Sequence, residues 1–167
     1  MTPQEFDKFY PVVTAWLRST LTVHSGAART VASCGFPRLP LYFSPETLAF
    51  AKVVLVNRLP IPPLSSWGLT RFADFEHSDP DAITYLDTFF LRRHQSKNEA
   101  IHFHELVHVI QWRVLGPENF IRSYADGLER FGYRNSPLEV MAYDAEKRFV
   151  TSTAGFDVEQ FIVENLR

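Results

Sequence analysis

The 167-residue chain is 46% hydrophobic and 14% aromatic, with 15 Phe, enough apolar material for one domain to bury its own core. A formal charge of −2 and a pI near 6.3, with no cationic run beyond Arg92-Arg93, exclude a partner held mainly through its phosphates, so no nucleic acid is expected. The single cysteine, Cys34, excludes an internal disulfide and a thiolate-rich zinc site.

The first predicted element opens at Thr2-Pro3-Gln4-Glu5, a capping box with proline at the first helical position. Phe6, Phe9, Tyr10, Val13, Trp16, Leu17 and Leu21 then recur at helical spacing across Pro11. This start has no basic residues followed by an apolar run. No stretch approaches about 18 uncharged apolar residues, so the expectation is a cytoplasmic protein without a membrane span.

Residues 33 to 48, broken by Gly35, Pro37, Pro40 and Pro45, read as loop. Thr47 to Arg58 is helix or strand, and the β-branched centre Val53-Val54-Leu55-Val56 favours strand. Pro60, Pro62 and Pro63 stiffen a connector too short to divide domains, and one domain over 1–167 is expected. Gly68 to Glu76 alternates imperfectly and is assigned as a strand, Ser78-Asp79-Pro80-Asp81 as a turn, and Ala82 to Arg92 as a further strand.

From there the pattern turns helical. Ser96-Lys97-Asn98-Glu99 predicts a capping box for a helix that runs to Leu115 and stops at Gly116-Pro117. Further helices are predicted from Glu118 to Phe131, from Ser136-Pro137 towards Gly155, and from Asp157 to the C-terminus. Strands first and helices second make an α+β domain: a small N-terminal sheet with a helix, followed by the motif helix and C-terminal helices.

The segment that carries chemistry is His104-Glu105-Leu106-Val107-His108. Histidines four apart stand one turn above each other on a helix, so both imidazoles reach one ion. Glu105 lies about 100° around from His104, beside the ion without ligating it, where a carboxylate takes the proton from a metal-bound water. Nitrogen ligands with a carboxylate suit Zn2+. Phe103, Val107, Ile110 and Val114 supply the adjoining buried face. His102, about 200° from His104, cannot share the metal face. Gln111 lies on the motif's side as an orienter or as packing.

A catalytic zinc needs a third protein ligand and an open corner. Glu139, 31 residues beyond His108, opens a helix that can return beside the motif; the alternative is that it only closes a capping box with Ser136. Glu146 on the same helical face, then Asp144, His94 and His77, remain as other candidates.

These residues, with Gly116 and the block Gly132-Tyr133-Arg134-Asn135-Ser136-Pro137-Leu138-Glu139-Val140-Met141-Ala142, resemble the zincin metallopeptidases, in particular a small gluzincin-like branch; the likeness spans about residues 82 to 146. The resemblance implies a zincin-like fold and a zinc-dependent metallopeptidase. His104, His108 and Glu139 would be the metal ligands, and Glu105 would activate water to cleave a bond in a peptide or protein substrate. It implies that the strand before the motif binds an extended peptide along its edge. Tyr133 is a candidate donor to the oxyanion of the tetrahedral intermediate, with ordinary packing as the alternative. The chain departs from the thermolysin pattern where an aspartate four residues after the ligand glutamate would hold a histidine: Tyr143 stands there. A non-catalytic zinc-stabilised binding domain and a hydrolase of a non-peptide amide share the ligand set.

Overall fold

The computed structural model describes residues 1–166. Its elements are α1 (Pro3–His24), β1 (Arg29–Thr30), α2 (Pro45–Phe50), β2 (Lys52–Val56), α3 (Ala73–Glu76), β3 (Ala82–Tyr85), β4 (Thr88–Arg92), α4 (Glu99–Phe131), α5 (Pro137–Thr151) and α6 (Val158–Asn165), joined in places by short 3-10 turns. The class is α+β. One mixed sheet of four strands has the order β1-β2-β4-β3, with β2 and β4 parallel and the outer pairs antiparallel. Among the described residues no helix is long and apolar enough to cross a membrane.

The two central strands read as unbroken apolar runs because both faces are covered. Val53, Phe89 and Leu91 pack against Phe103, Leu106, Val107 and Ile110 of α4. Their neighbours Val54 and Phe90 point the other way, into a cluster with Leu17 of α1, Trp112 and Phe120. A buried Phe or Leu contributes about 1.5–3 kcal/mol, so α4, with both kinds of neighbour, is the most firmly seated helix. Val114 stands apart from that expectation: it is exposed, beyond the last turn that faces the sheet.

Helix α1 begins as expected, Thr2 Oγ1 accepting from the Glu5 amide at 3.2 Å and the Glu5 carboxylate from the Thr2 amide at 2.9 Å. Other segments depart from the sequence reading. Thr47–Phe50 belongs to α2, capped by Ser44, and only Lys52–Val56 is strand. Gly68–Glu76 is not a strand: a 3-10 turn (Thr70–Phe72) leads into α3. Leu69, Phe72 and Phe75 are three apart, which is helical spacing, and all three are buried in one cluster. Ala82–Arg92 is a hairpin rather than one strand, turning at Leu86 and Asp87 with Leu86 at φ 57°, a turn without the usual glycine or asparagine.

The start of α4 also differs. Asn98 is its N-cap and makes no side-chain cap. The Glu99 carboxylate accepts instead from the amides of Arg38 and Leu39, at 2.8 and 3.1 Å, so a tertiary contact takes the group a capping box would have used. Farther along, Gly116 (φ 72°, ψ 164°) interrupts the helix in a conformation that belongs almost to glycine alone, and Pro117 starts the next segment. That break folds Phe120 onto Trp112, with ring centroids 3.8 Å apart, and brings Tyr124 back towards α5. Glu159 of α6 ties α2 to α4, accepting from Thr47 Oγ1 at 2.6 Å and from Arg113 at 2.7 Å.

Candidate metal centre

Two helices build the centre. His104, Glu105 and His108 lie on the buried face of α4, and α5 runs close beside them because its facing residues, Ala142 and Ala145, are small and fully buried. The return into α5 passes so near α4 that a Cβ on Gly127 would sit 3.0 Å from that of Ser136. Glu139, three residues on, is thereby aimed at the two histidines. Ser136 makes no side-chain cap, and its hydroxyl has no partner, so Glu139 is not the second half of a capping box.

His104 Nε2 and His108 Nε2 are 3.1 Å apart, and Glu139 Oε2 is 3.5 Å from each. Each imidazole is oriented from behind. His104 Nδ1 is 3.0 Å from Glu146 Oε2, a carboxylate oxygen that accepts, so Nδ1 carries the proton. His108 Nδ1 donates to Gln111 Oε1 at 2.8 Å, and that amide is fixed by its own donation to the Leu138 carbonyl at 2.9 Å. With each Nδ1 turned outward, both Nε2 atoms face each other and the Glu139 Oε2. These three donor atoms could hold a metal ion between them; without one, a proton shared among them balances the buried carboxylate.

A divalent ion fits. Zinc with bonds of about 2.0–2.1 Å to tetrahedral ligands holds those ligands about 3.3 Å apart, inside the observed span of separations. Among the described residues, His104, His108 and Glu139 are the group whose donor atoms converge in this way. The four residues are almost closed to solvent, at 6% for His104, 5% for Glu105, 5% for His108 and 2% for Glu139.

The other candidates are elsewhere. Glu146 orients His104 and is not part of the convergent set. It takes over the task left open by Tyr143, whose ring instead lies against His104 with centroids 4.7 Å apart. Asp144 is exposed, His94 pairs with Asp81, and His77 bonds to the Ala73 carbonyl. His102 is fully buried between Phe36 and Phe89, its Nδ1 on the Asn98 carbonyl.

Around this set stand groups the sequence did not point to. Tyr124 donates to Glu139 Oε1 at 2.8 Å, leaving Oε2 for the cation. Thr84 of β3 donates to Glu105 Oε2 at 2.6 Å. Trp112 Nε1 donates to the Thr84 carbonyl at 3.2 Å, so a peptide added along β3 would have to displace it there. Nothing local marks these residues, since each reaches its partner across at least 15 positions of chain. Tyr133 shares a cavity wall with Glu105, His108 and Glu139.

The electrostatics follow from burial among charges. Burial pushes the Glu105 carboxyl up, against the pull of His108 and His104. Burial pulls His104 down, but its hydrogen bonds with Glu139 and Glu146 and the nearby carboxylate charge outweigh this and raise it to about 10. His108 is raised too, burial being overcome mainly by Glu139. Burial would lift Glu139, yet the His108 charge and the hydrogen bonds of both histidines hold it well below the usual carboxylate range.

Replacing an orienting partner leaves the ligands but loosens them. Glu146→Ala and Tyr124→Phe are each expected to weaken zinc binding by about 10–100-fold without unfolding the chain, measured by competition with a chromogenic chelator. An unchanged affinity in both variants would remove their assigned role.

No protein-family model matches the chain, and no curated protein and no solved structure matches it. The chemistry of the centre therefore rests on its own geometry.

Proposed function

We propose that this chain is a zinc-dependent hydrolase of a peptide or related amide bond, a metallopeptidase of zincin type. The observation that carries the reading is the convergence of two imidazole Nε2 atoms and a buried carboxylate oxygen, with a second buried carboxylate, Glu105, facing the same cavity. The ligand chemistry favours zinc: magnesium and calcium prefer all-oxygen sites, whereas two nitrogens and one oxygen with a fourth corner free suit catalytic zinc. A structural zinc would use four protein ligands, and three converge here.

When bound, zinc supplies a Lewis acid that acidifies water and polarises a carbonyl oxygen. The chain's residues do the rest. Glu105, held by Thr84 and raised by burial, takes a proton from water and delivers it to the leaving amine. Tyr133, in the same cavity wall, is the donor nearest in role to an oxyanion-stabilising group. Glu146 and Gln111 keep both imidazoles in the tautomer that offers Nε2 to the metal.

The test is elemental analysis of protein purified without added metal, paired with hydrolysis of blocked peptide amides. One zinc per chain and hydrolysis lost to a chelator and restored by zinc are expected. Chain without zinc, or hydrolysis indifferent to the chelator, overturns the proposal.

A further inference from the structure

Glu105, His108 and Glu139 face a cavity of ≈ 130 Å³ whose other walls are almost wholly apolar. The walls include Phe6 and Val13 of α1, Leu69 and, in α3, Phe75, Ile83 of β3, and Leu128 of α4. Elements this far apart in sequence converge on the candidate centre.

Size limits the occupant. An apolar cavity of about 150 Å³ in another protein takes up benzene, so this one holds a single ring or a branched aliphatic group, and most of a long acyl chain would have to lie outside it. Charge limits it further. No Lys or Arg side chain lines the cavity, and the Met1 amine near it is engaged by Asp126 and Glu129. The residues with polar groups that line it are Glu105, Glu139, His108, Thr84, Trp112 and the tyrosines Tyr10, Tyr85, Tyr124 and Tyr133, together with Met1. In the metal-free chain a buried anion would find no Lys or Arg and would meet Glu105 and Glu139, the histidines being already engaged by Glu139. An ammonium would find Glu139 committed to the histidines and Tyr124, and Glu105 committed to Thr84.

Access narrows the class again. Trp112 holds the Thr84 carbonyl of the edge strand, and Thr84 is itself buried, so β3 offers no open ladder to an extended polypeptide. We propose that the substrate is a compact, uncharged amide carrying one ring-sized apolar group, which enters the cavity beside the scissile bond. This rests on the hydrolase reading above and narrows it from any peptide to a small neutral one.

The experiment measures binding to the full chain, zinc-loaded and metal-free, by titration calorimetry. The probes are N-acetylphenylalaninamide, N-acetylglycinamide, N-acetylphenylalanine with its free carboxylate, and dodecanamide. The phenylalanine amide is expected to bind at least about tenfold more tightly than N-acetylglycinamide and dodecanamide in both forms, and than the carboxylate in the metal-free form. Ala125→Phe, which fills the cavity, should abolish that preference without changing zinc content. Leu128→Ala, which enlarges it, should move the preference to the naphthylalanine amide; this second variant keeps the test alive if the first does not fold. Equal or tighter binding of dodecanamide, or of the carboxylate to the metal-free chain, a preference unmoved in both variants, or faster cleavage of unstructured polypeptide than of the small amide overturns the proposal. A chain that binds the phenylalanine amide selectively but holds no zinc supports the cavity's ligand class and removes the hydrolase reading. A zinc-loaded, active chain without selectivity does the reverse.

Discussion

Glu105→Gln is expected to lower hydrolysis by about 10²–10⁴-fold while zinc stays at one per chain. The substitution exchanges one oxygen for an NH2 group at constant shape, so the fully packed α4 has no reason to shift. The Thr84 hydroxyl, now 2.6 Å from Glu105 Oε2, can donate to the amide oxygen as it did to the carboxylate. Glu105 is outside the converging donor set, so the ion loses no ligand. What disappears is the buried proton acceptor beside the ion, a carboxyl that burial pushes up from its ordinary value. Retained activity would mean that the base is another group; loss of zinc would mean that Glu105 is a ligand.

The convergence of His104 and His108 was legible because it is a local property: four residues on one helix repeat one face, whatever the rest of the chain does. Glu139 was legible less directly, through the helix start at Ser136-Pro137 and the return after Gly132. The choice between ligand and capping partner was decided only by α4–α5 packing, which draws its carboxylate inward and leaves Ser136 Oγ unpartnered. Glu146 had been a rival ligand; its place one turn beyond Tyr143 puts it behind His104 instead. Thr84 and Tyr124 had no signal, since a threonine in a strand and a tyrosine in a helix are ordinary core residues until the fold brings a carboxylate to them.

The misread elements have the same origin. Leu69, Phe72 and Phe75 were weighed as a flawed alternation, although their spacing of three is that of a helical turn burying one side. The expected box at Ser96–Glu99 fails because the amides of Arg38 and Leu39 take the Glu99 carboxylate. Local rules name what a side chain can do; tertiary contacts choose which of its options is used.

Zinc affinity should rise steeply with pH. His104, raised to about 10 by Glu139 and Glu146 against the downward pull of burial, keeps a proton at neutrality when no metal is bound. That proton must leave before Nε2 can ligate, so the apparent affinity should climb about tenfold per pH unit for each proton displaced. The same groups set how stability changes. The contribution of His104 to the metal-free fold is fully present below its ordinary value of 6.5 and fades as pH rises through about 10. Glu139 has the opposite sign: its contribution is present above its ordinary value of 4.5 and is lost as pH falls through its depressed one. The metal-free chain should thus gain most from this pair between those two ordinary values, and the extra thermal stability conferred by zinc should grow as the solution is made more alkaline. Chelator competition and thermal unfolding, each run with and without zinc across about three pH units, measure both. An affinity flat with pH would mean that no proton occupies the space between His104, His108 and Glu139, and that the charges assigned to this centre are wrong.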